Sequence, residues 1–286
     1  MSLSLDEALP EKRAARRAFD RARGFDTACF LHDETRGRLL ERLDLVRLEP
    51  QLAIDLGCAT ARGAIALAAR YPAARVLAID SSSGMLRSAA ANTVSSVAVL
   101  GGDAEMLPLR SHCADLVLAN LVLPWCRPDR VFAEAARVLA EGGAMLFATL
   151  GPDSLREVRT AFGVVDERIH VHAAFDMHDL GDLALAAGLA EPVLDVDHLA
   201  VTYADLAGLV RDLRAAGAIN VAGGRRRSLT GPKRWHRFAA GLAPAAGRLA
   251  ITVELILGQA WGRGPRSGRG EILVPIDRIK RRSEST

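Results

Sequence analysis

Residues 51–80, QLAIDLGCATARGAIALAARYPAARVLAID, constrain this chain more than any other stretch. The apolar run Leu52–Ala53–Ile54 ends at Asp55. Gly57, Cys58, Ala59, Thr60 and Ala61 then make a turn of small residues, and Arg62 to Arg70 follows with helical spacing. A second apolar run, Val76 to Ile79, closes on Asp80. Strand, tight turn, helix and strand with a terminal acid outline a nucleotide-binding βαβ unit. The turn is built of small residues because its backbone must pass close to a ligand. An acid at the end of the second strand can accept both hydroxyls of a ribose.

The pattern repeats downstream. Ser81 to Ala91 predicts a helix with Ser83 as its cap and Met85 and Leu86 on its buried side. Val97 to Leu100 predicts a third strand, which leads into Gly101, Gly102, Asp103 and Ala104. Ala114 to Asn120 is almost wholly apolar, as a central parallel strand covered on both faces should be. Pro124, Trp125 and Cys126 follow in a loop. Asp129 to Ala140 predicts a helix stopped at Gly142–Gly143, and Ala144 to Leu150 a further strand. Such alternation implies a doubly wound α/β sheet. Upstream, Arg13 to Arg23 and Phe25 to Leu48 are amphipathic, suited either to a lid over the sheet's ligand or to ordinary packing. Downstream, helices are expected over Ser154 to Phe162 with Asp153 as cap, Asp179 to Ala187, and Asp205 to Ala216. Val193 to Tyr203 reads as a strand pair or one long strand, Ile251 to Trp261 as a terminal strand, and Glu271 to Ile276 as a short addition.

The ordered set Asp55–Gly57, Asp80, Asp103 and a central strand ending in Asn120 resembles the class I S-adenosylmethionine-dependent methyltransferases, a Rossmann-like α/β fold. That resemblance implies S-adenosyl-L-methionine as cofactor. It places the methionine part at Asp55, Gly57 and Ala59, the ribose at Asp80 with Ser81 and Met85 beside it, and the adenine at Asp103 and Ala104, with Asn120 closing the site. The usual DxGxGxG is here Asp55-Leu56-Gly57-Cys58-Ala59-Thr60-Ala61, so alanine stands at two glycine positions. A methyl group there crowds the cofactor, the more so where the backbone needs a positive φ. The missing glycines also argue against a dinucleotide's pyrophosphate and hence against a nicotinamide oxidoreductase.

Later stretches narrow the resemblance. Ala148 to Phe162, Phe175 to Val221, Gly224 to Gly231, ITVELILGQAWG and the opening RRAFDRA resemble the malonyl-acyl carrier protein O-methyltransferase family of biotin synthesis, over most of residues 13–261. The family implies methylation of the free carboxylate of a malonyl thioester. That carboxylate is ionised at neutral pH, so the protein needs to position and dry the reactants rather than supply a strong base. Arg159 matches the basic position expected to face the substrate, with Arg156 the fallback. Phe25 stands where a lid tyrosine is usual, and Trp125 follows Pro124 where Gln or His is usual. These departures, with Ala59 and Ala61, motivate the alternative: a non-catalytic or assembly-factor relative, akin to the hydroxylase that assists complex I assembly, with a degenerate cofactor site.

The division expected is 1–48 as lid helices, 49–151 as cofactor-binding core, 152–262 as the substrate- and carrier-facing part with helices inserted before the last strands, and 263–286 as a basic tail. Net charge is only +3, but the basic residues cluster: Lys12, Arg13, Arg16 and Arg17; Arg225, Arg226 and Arg227 with Lys233, Arg234 and Arg237; and Lys280, Arg281 and Arg282. Solvated faces account for such clusters, and so does an acidic partner. Acyl carrier protein is the expected partner, met by Arg225, Arg226 and Arg227. Aromatics are 5% of residues, too few for base-stacking platforms, so nucleic acid is not expected. The four cysteines show no metal spacing, and no metal is expected. They read as reduced thiols of a cytoplasmic protein. Neither a secretory signal nor a membrane span is expected.

Overall fold

The computed structural model describes residues 5–242 and 247–263. The strand expected over Glu271 to Ile276, the basic cluster Lys280–Arg282 and nearly all of the proposed tail lie outside the described residues.

Seven strands form one sheet in the order β3-β2-β1-β4-β5-β7-β6. They are β1 (Leu52–Leu56), β2 (Arg75–Asp80), β3 (Val97–Gly101), β4 (Ala114–Asn120), β5 (Leu139–Leu150), β6 (Ala190–Tyr203) and β7 (Leu249–Trp261). The first five pair in parallel, and β7 runs antiparallel between β5 and β6. The helices are α1 (Leu5–Ala8), α2 (Lys12–Asp20), α3 (Phe25–Ala28), α4 (Phe30–Arg42), α5 (Arg62–Arg70), α6 (Ser83–Asn92), α7 (Pro128–Val138), α8 (Arg156–Gly163), α9 (Met177–Ala186), α10 (Leu206–Ala215) and α11 (Pro232–Gly241). This is the expected class I α/β architecture, with helices preceding the sheet and others inserted around β6.

Two apolar layers explain the unbroken hydrophobicity of the central strands. One face buries Ile54, Ile79, Val117 and Phe147 against Phe132 of α7. The other buries Ala53, Leu116 and Leu146 against Leu39 of α4 and Leu67 of α5. Gly258 on β7 permits this packing, since a Cβ there would meet the Phe147 ring at 2.2 Å.

Several boundaries differ from expectation. The cap of α6 is Ser82, whose Oγ accepts from Met85 N, while Ser83 is the first helical residue. α7 ends at Val138, and β5 runs straight through Gly142 and Gly143 because its extended pairing reaches back to Leu139. Asp153 does not cap α8: Leu155 precedes the helix in a left-handed conformation at φ 57°. α9 starts earlier than expected because Asp176 accepts from His178 N and Asp179 N. Val193 to Tyr203 belongs to one strand, and α11 lies where no helix was expected. Asp205 caps α10 as expected.

Candidate functional site

The strand order reverses between β1 and β4, and the carboxyl ends of the parallel strands open there into a crevice. Gly57 N and Cys58 N both donate to Ile79 O, at 2.8 and 2.9 Å, which folds the turn back over β2. Gly57 has φ 71°, and a Cβ on it would meet Val122 at 2.6 Å. Ala59 (φ 47°) and Ala61 (φ 67°) also occupy the left-handed region, so the backbone of a glycine turn is kept with alanine side chains on it.

A cavity of about 510 Å³ lies over this turn, a size that suits a small-molecule cofactor. Of the residues picked out from the sequence, Phe25, Gly57, Ala59, Asp80, Ser81, Asp103, Ala104, Asn120 and Trp125 line it. Asp80 Oδ2 accepts from Ala59 N (3.0 Å) and Oδ1 from Ser82 N (2.8 Å). Burial pushes the Asp80 carboxyl up against the pull of these amides. Its oxygens retain lone pairs for further donors.

Asp55 and Met85 do not line the cavity. Asp55 is buried under the turn and accepts from Ala64 N at 2.6 Å. Burial carries it up to about 7, with Asp80 adding to the rise and the Ala64 amide opposing it. Met85 packs with Ala22, Phe25 and Cys29 behind the wall. Asn120 lines the cavity, but its amide is already committed: Oδ1 accepts from Thr35 Oγ1 (2.6 Å) and Nδ2 donates to His32 O (2.9 Å).

Helix α2 brings part of the first basic cluster to the site. Lys12, Arg13 and Arg16 all line the cavity. Lys12 Nζ pairs at 2.7 Å with both Asp103 and the buried Glu105. Burial alone would lower the Lys12 ammonium, but its hydrogen bonds to these two acids carry it above its ordinary value. At the other end of α2, Asp20 Oδ1 accepts from Ser82 Oγ (2.8 Å) and Gly84 N (2.9 Å), which seats α2 on α6. Phe25 is buried against His32 with ring centroids 4.9 Å apart.

A second, mostly apolar cavity of about 190 Å³ lies between β7, α8 and α10. Leu150, Leu155, Val201, Leu209 and Ile251 supply much of its wall. Arg159 lines it and spends two of its N–H groups on Pro152 O (3.0 Å) and Ser154 O (3.2 Å). Arg156, the fallback, pairs with Asp153 and Glu157 instead. His170 stacks on Phe162 at 3.7 Å and pairs with Asp166, and His172 Nε2 accepts from Val221 N. Burial lowers His172 to about 4, so its ring is neutral. Trp125 lies at the edge of both cavities, with Phe19 at 4.9 Å and His172 at 5.2 Å.

The basic loop is less free than its sequence suggested. Arg225 bonds Glu11 and the carbonyls of Val221 and Ala222, tying the strand of chain before α2 to this loop. Arg226 Nε is buried, and Arg227 is largely exposed while reaching Glu11. Lys233 and Arg237 of α11 are exposed nearby in sequence. The described residues include one loose group of metal-type ligands, Asp153, His198 and Glu254. Asp153 pairs with Arg156 there, and its own amide occupies Glu254 Oε2. No helix of the described residues is long and apolar enough to cross a membrane.

A family model described as a methyltransferase domain matches residues 54–147. The malonyl-[acyl-carrier protein] O-methyltransferase of Gallionella capsiferriformans is 39% identical over 93% of this chain and 96% of its own length. That of a Methylovorus species is 39% identical over 99% of this chain and 100% of its own. Among solved structures, the YcgJ protein of Bacillus subtilis matches with a TM-score of 0.59 at 16% identity, covering 82% of this chain and 100% of that one. This last likeness concerns the fold alone.

Proposed function

The chain belongs to the malonyl-[acyl-carrier protein] O-methyltransferase family, and from that premise we propose that it methylates the free carboxylate of a malonyl thioester on an acyl carrier protein, an early step of biotin synthesis. The observation that carries this reading is similarity of the whole chain to relatives of that name, including the regions outside the methyltransferase domain. The same observation favours it over the assembly-factor alternative.

S-adenosyl-L-methionine supplies an electrophilic methyl group on a sulfonium, and the residues of the larger cavity fit it. Asp80 offers ribose hydroxyls its remaining lone pairs, Gly57 lets the backbone approach, and Asp103 and Ala104 border the adenine end. Asp55 and Met85 act from behind, holding the turn and the wall. Phe25 and Trp125 cover the site and exclude water. The acceptor carboxylate is its own nucleophile, so this chain's residues need only orient it. Arg159 has N–H groups left for a charge-assisted pair with the acyl substrate, and the apolar cavity receives the acyl end of the carrier's arm. Arg227, Lys233 and Arg237 make the exposed rim that would steer an acidic carrier, with Arg225 bracing the loop behind them. The chain's four cysteines are free thiols, which supports a reducing, cytoplasmic setting.

Calorimetric titration with S-adenosylhomocysteine, followed by a methyl-transfer assay on malonyl-acyl carrier protein, tests the reading. Micromolar binding and formation of the methyl ester are expected. A folded protein that binds no S-adenosylhomocysteine would overturn it in favour of the non-catalytic relative.

A further inference from the structure

Among the described residues, three line both cavities: His32, Leu121 and Trp125. Whatever passes between the cavities passes along this wall. Leu121 offers no polar side-chain group there. Its backbone turns left-handed at φ 56°, and its N–H donates to Ala148 O. Trp125 is held edgewise between Phe19 and His172. His32 brings an imidazole on a rigid mount. Its carbonyl accepts from Asn120 Nδ2, and its ring abuts Phe25.

The Nδ1 atom of His32 is sealed from solvent and has no hydrogen-bond partner. A sealed N–H without an acceptor is rarer than a sealed lone pair, so the proton sits on Nε2. The ring is therefore a fixed neutral donor on the wall where the reactants must meet. Arg159 lines the acyl cavity but not the cofactor cavity, so it stands back from that wall.

We propose that His32 is a substrate-binding residue whose Nε2–H donates to the acceptor carboxylate, on the oxygen that does not attack. The assignment rests on the methyl-transfer reading above. One carboxylate oxygen then forms the bond to the methyl carbon, the carbon–sulfur bond breaks with its electron pair remaining on sulfur, and the products are the methyl ester and neutral S-adenosylhomocysteine. No proton moves in this step. Burial holds the imidazole at about 4, against the nearby Asp33, so it donates without carrying a charge that would blunt the nucleophile.

The test compares wild type with His32→Leu and His32→Gln, all checked for thermal midpoint and S-adenosylhomocysteine affinity. Glutamine keeps a neutral donor near the position of Nε2, and leucine removes it. His32→Leu is expected to lose 30-fold or more in kcat. It should also bind malonyl-acyl carrier protein at least tenfold more weakly when loaded with S-adenosylhomocysteine. His32→Gln should stay within fivefold of wild type on both readouts. S-adenosylhomocysteine affinity should stay within twofold throughout. An active wild type with His32→Leu unchanged, or with His32→Gln as impaired as His32→Leu, overturns the assignment alone. A wild type that binds S-adenosylhomocysteine yet does not methylate malonyl-acyl carrier protein overturns the reading and this assignment together.

Discussion

Replacing the two left-handed alanines by glycine should have unequal effects, and the structure sets the difference. Ala59 and Ala61 lie at φ 47° and 67°. An L-residue with a Cβ is disfavoured there by about 1–2 kcal/mol. Glycine removes that penalty but gives the unfolded chain more freedom, an offset of about 0.4–1 kcal/mol. Ala59 is only partly buried and faces the cofactor cavity, so deleting its methyl sacrifices little packing. Ala59→Gly should therefore stabilise the fold by about 0.5 kcal/mol. Ala61 is 0% exposed and packs in the layer that holds Leu39 and Leu67. Losing a buried methyl costs about 0.8 kcal/mol, which cancels the remaining gain, so Ala61→Gly should be near neutral. Urea unfolding at constant m, or a thermal midpoint raised by about 1–2 °C for Ala59→Gly alone, reads this directly. Because Ala59 projects at the cavity, Ala59→Gly should also tighten S-adenosylhomocysteine binding about two- to fivefold. Destabilisation by Ala59→Gly, or a larger gain from Ala61→Gly than from Ala59→Gly, would refute the reasoning.

Asp80→Ala should raise the S-adenosylhomocysteine dissociation constant at least tenfold, about 1.4 kcal/mol, by calorimetry; unchanged affinity would remove Asp80 from the ribose role. Arg159→Ala should raise KM for malonyl-acyl carrier protein while leaving S-adenosylhomocysteine affinity within twofold, and equal loss of both would mark Arg159 as a strut for the Pro152–Ser154 loop. Asp55 has a folded pKa of about 7, above its unfolded value, so its contribution to stability is full below about pH 4 and is lost as pH rises through 7. The stability of wild type relative to Asp55→Asn should thus fall between pH 5 and 8, by at least the ~1.4 kcal/mol that one pH unit of elevation represents, and urea midpoints giving a constant difference would contradict this.

The parallel half of the fold was legible because its signals are local. β2, β3 and β4 are short, mostly apolar runs ending in Asp80, Gly101 and Asn120, and each of α5 and α6 follows a small-residue turn. What escaped depended on partners distant in sequence. β5 continues through Gly142 and Gly143, where the chain alone signals a stop, because β4 and β7 offer pairing on both sides. Leu155 enters α8 left-handed while Ser154 and Glu254 lock the preceding loop from across the sheet. The same holds in the site. Gly57 and Asp80, picked out by the strand–turn–helix pattern, and Asp103, picked out by the family resemblance, line one cavity, but nothing in the sequence shows that Asn120 is tied to Thr35 and His32, or that Lys12 reaches Asp103. His32 sits in an amphipathic run whose pattern gives no reason to single it out. Its position on the shared wall comes entirely from how α4 packs on β4 and β5.

The two cavities also divide the charge of the proposed reaction. Acids gather at the strand ends beneath the cofactor cavity, namely Asp55, Asp80, Asp103 and Glu105, and Lys12 pairs with the last two while Arg13 and Arg16 line the cavity beside it. A sulfonium is at home beside Asp80. On the other side of the wall lies a cavity whose walls are mostly apolar, where Arg159 can pair with the acceptor carboxylate. Methyl transfer brings these opposite charges together and cancels them. A transition state in which charge is being lost is less dependent on water than its reactants are, so a dry, apolar chamber lowers the barrier relative to solution. This accounts for a site without a strong base at the wall between the cavities. Neutral groups at that wall, the His32 imidazole and the Trp125 indole, can direct the carboxylate while leaving the cancellation of charge to the reactants themselves.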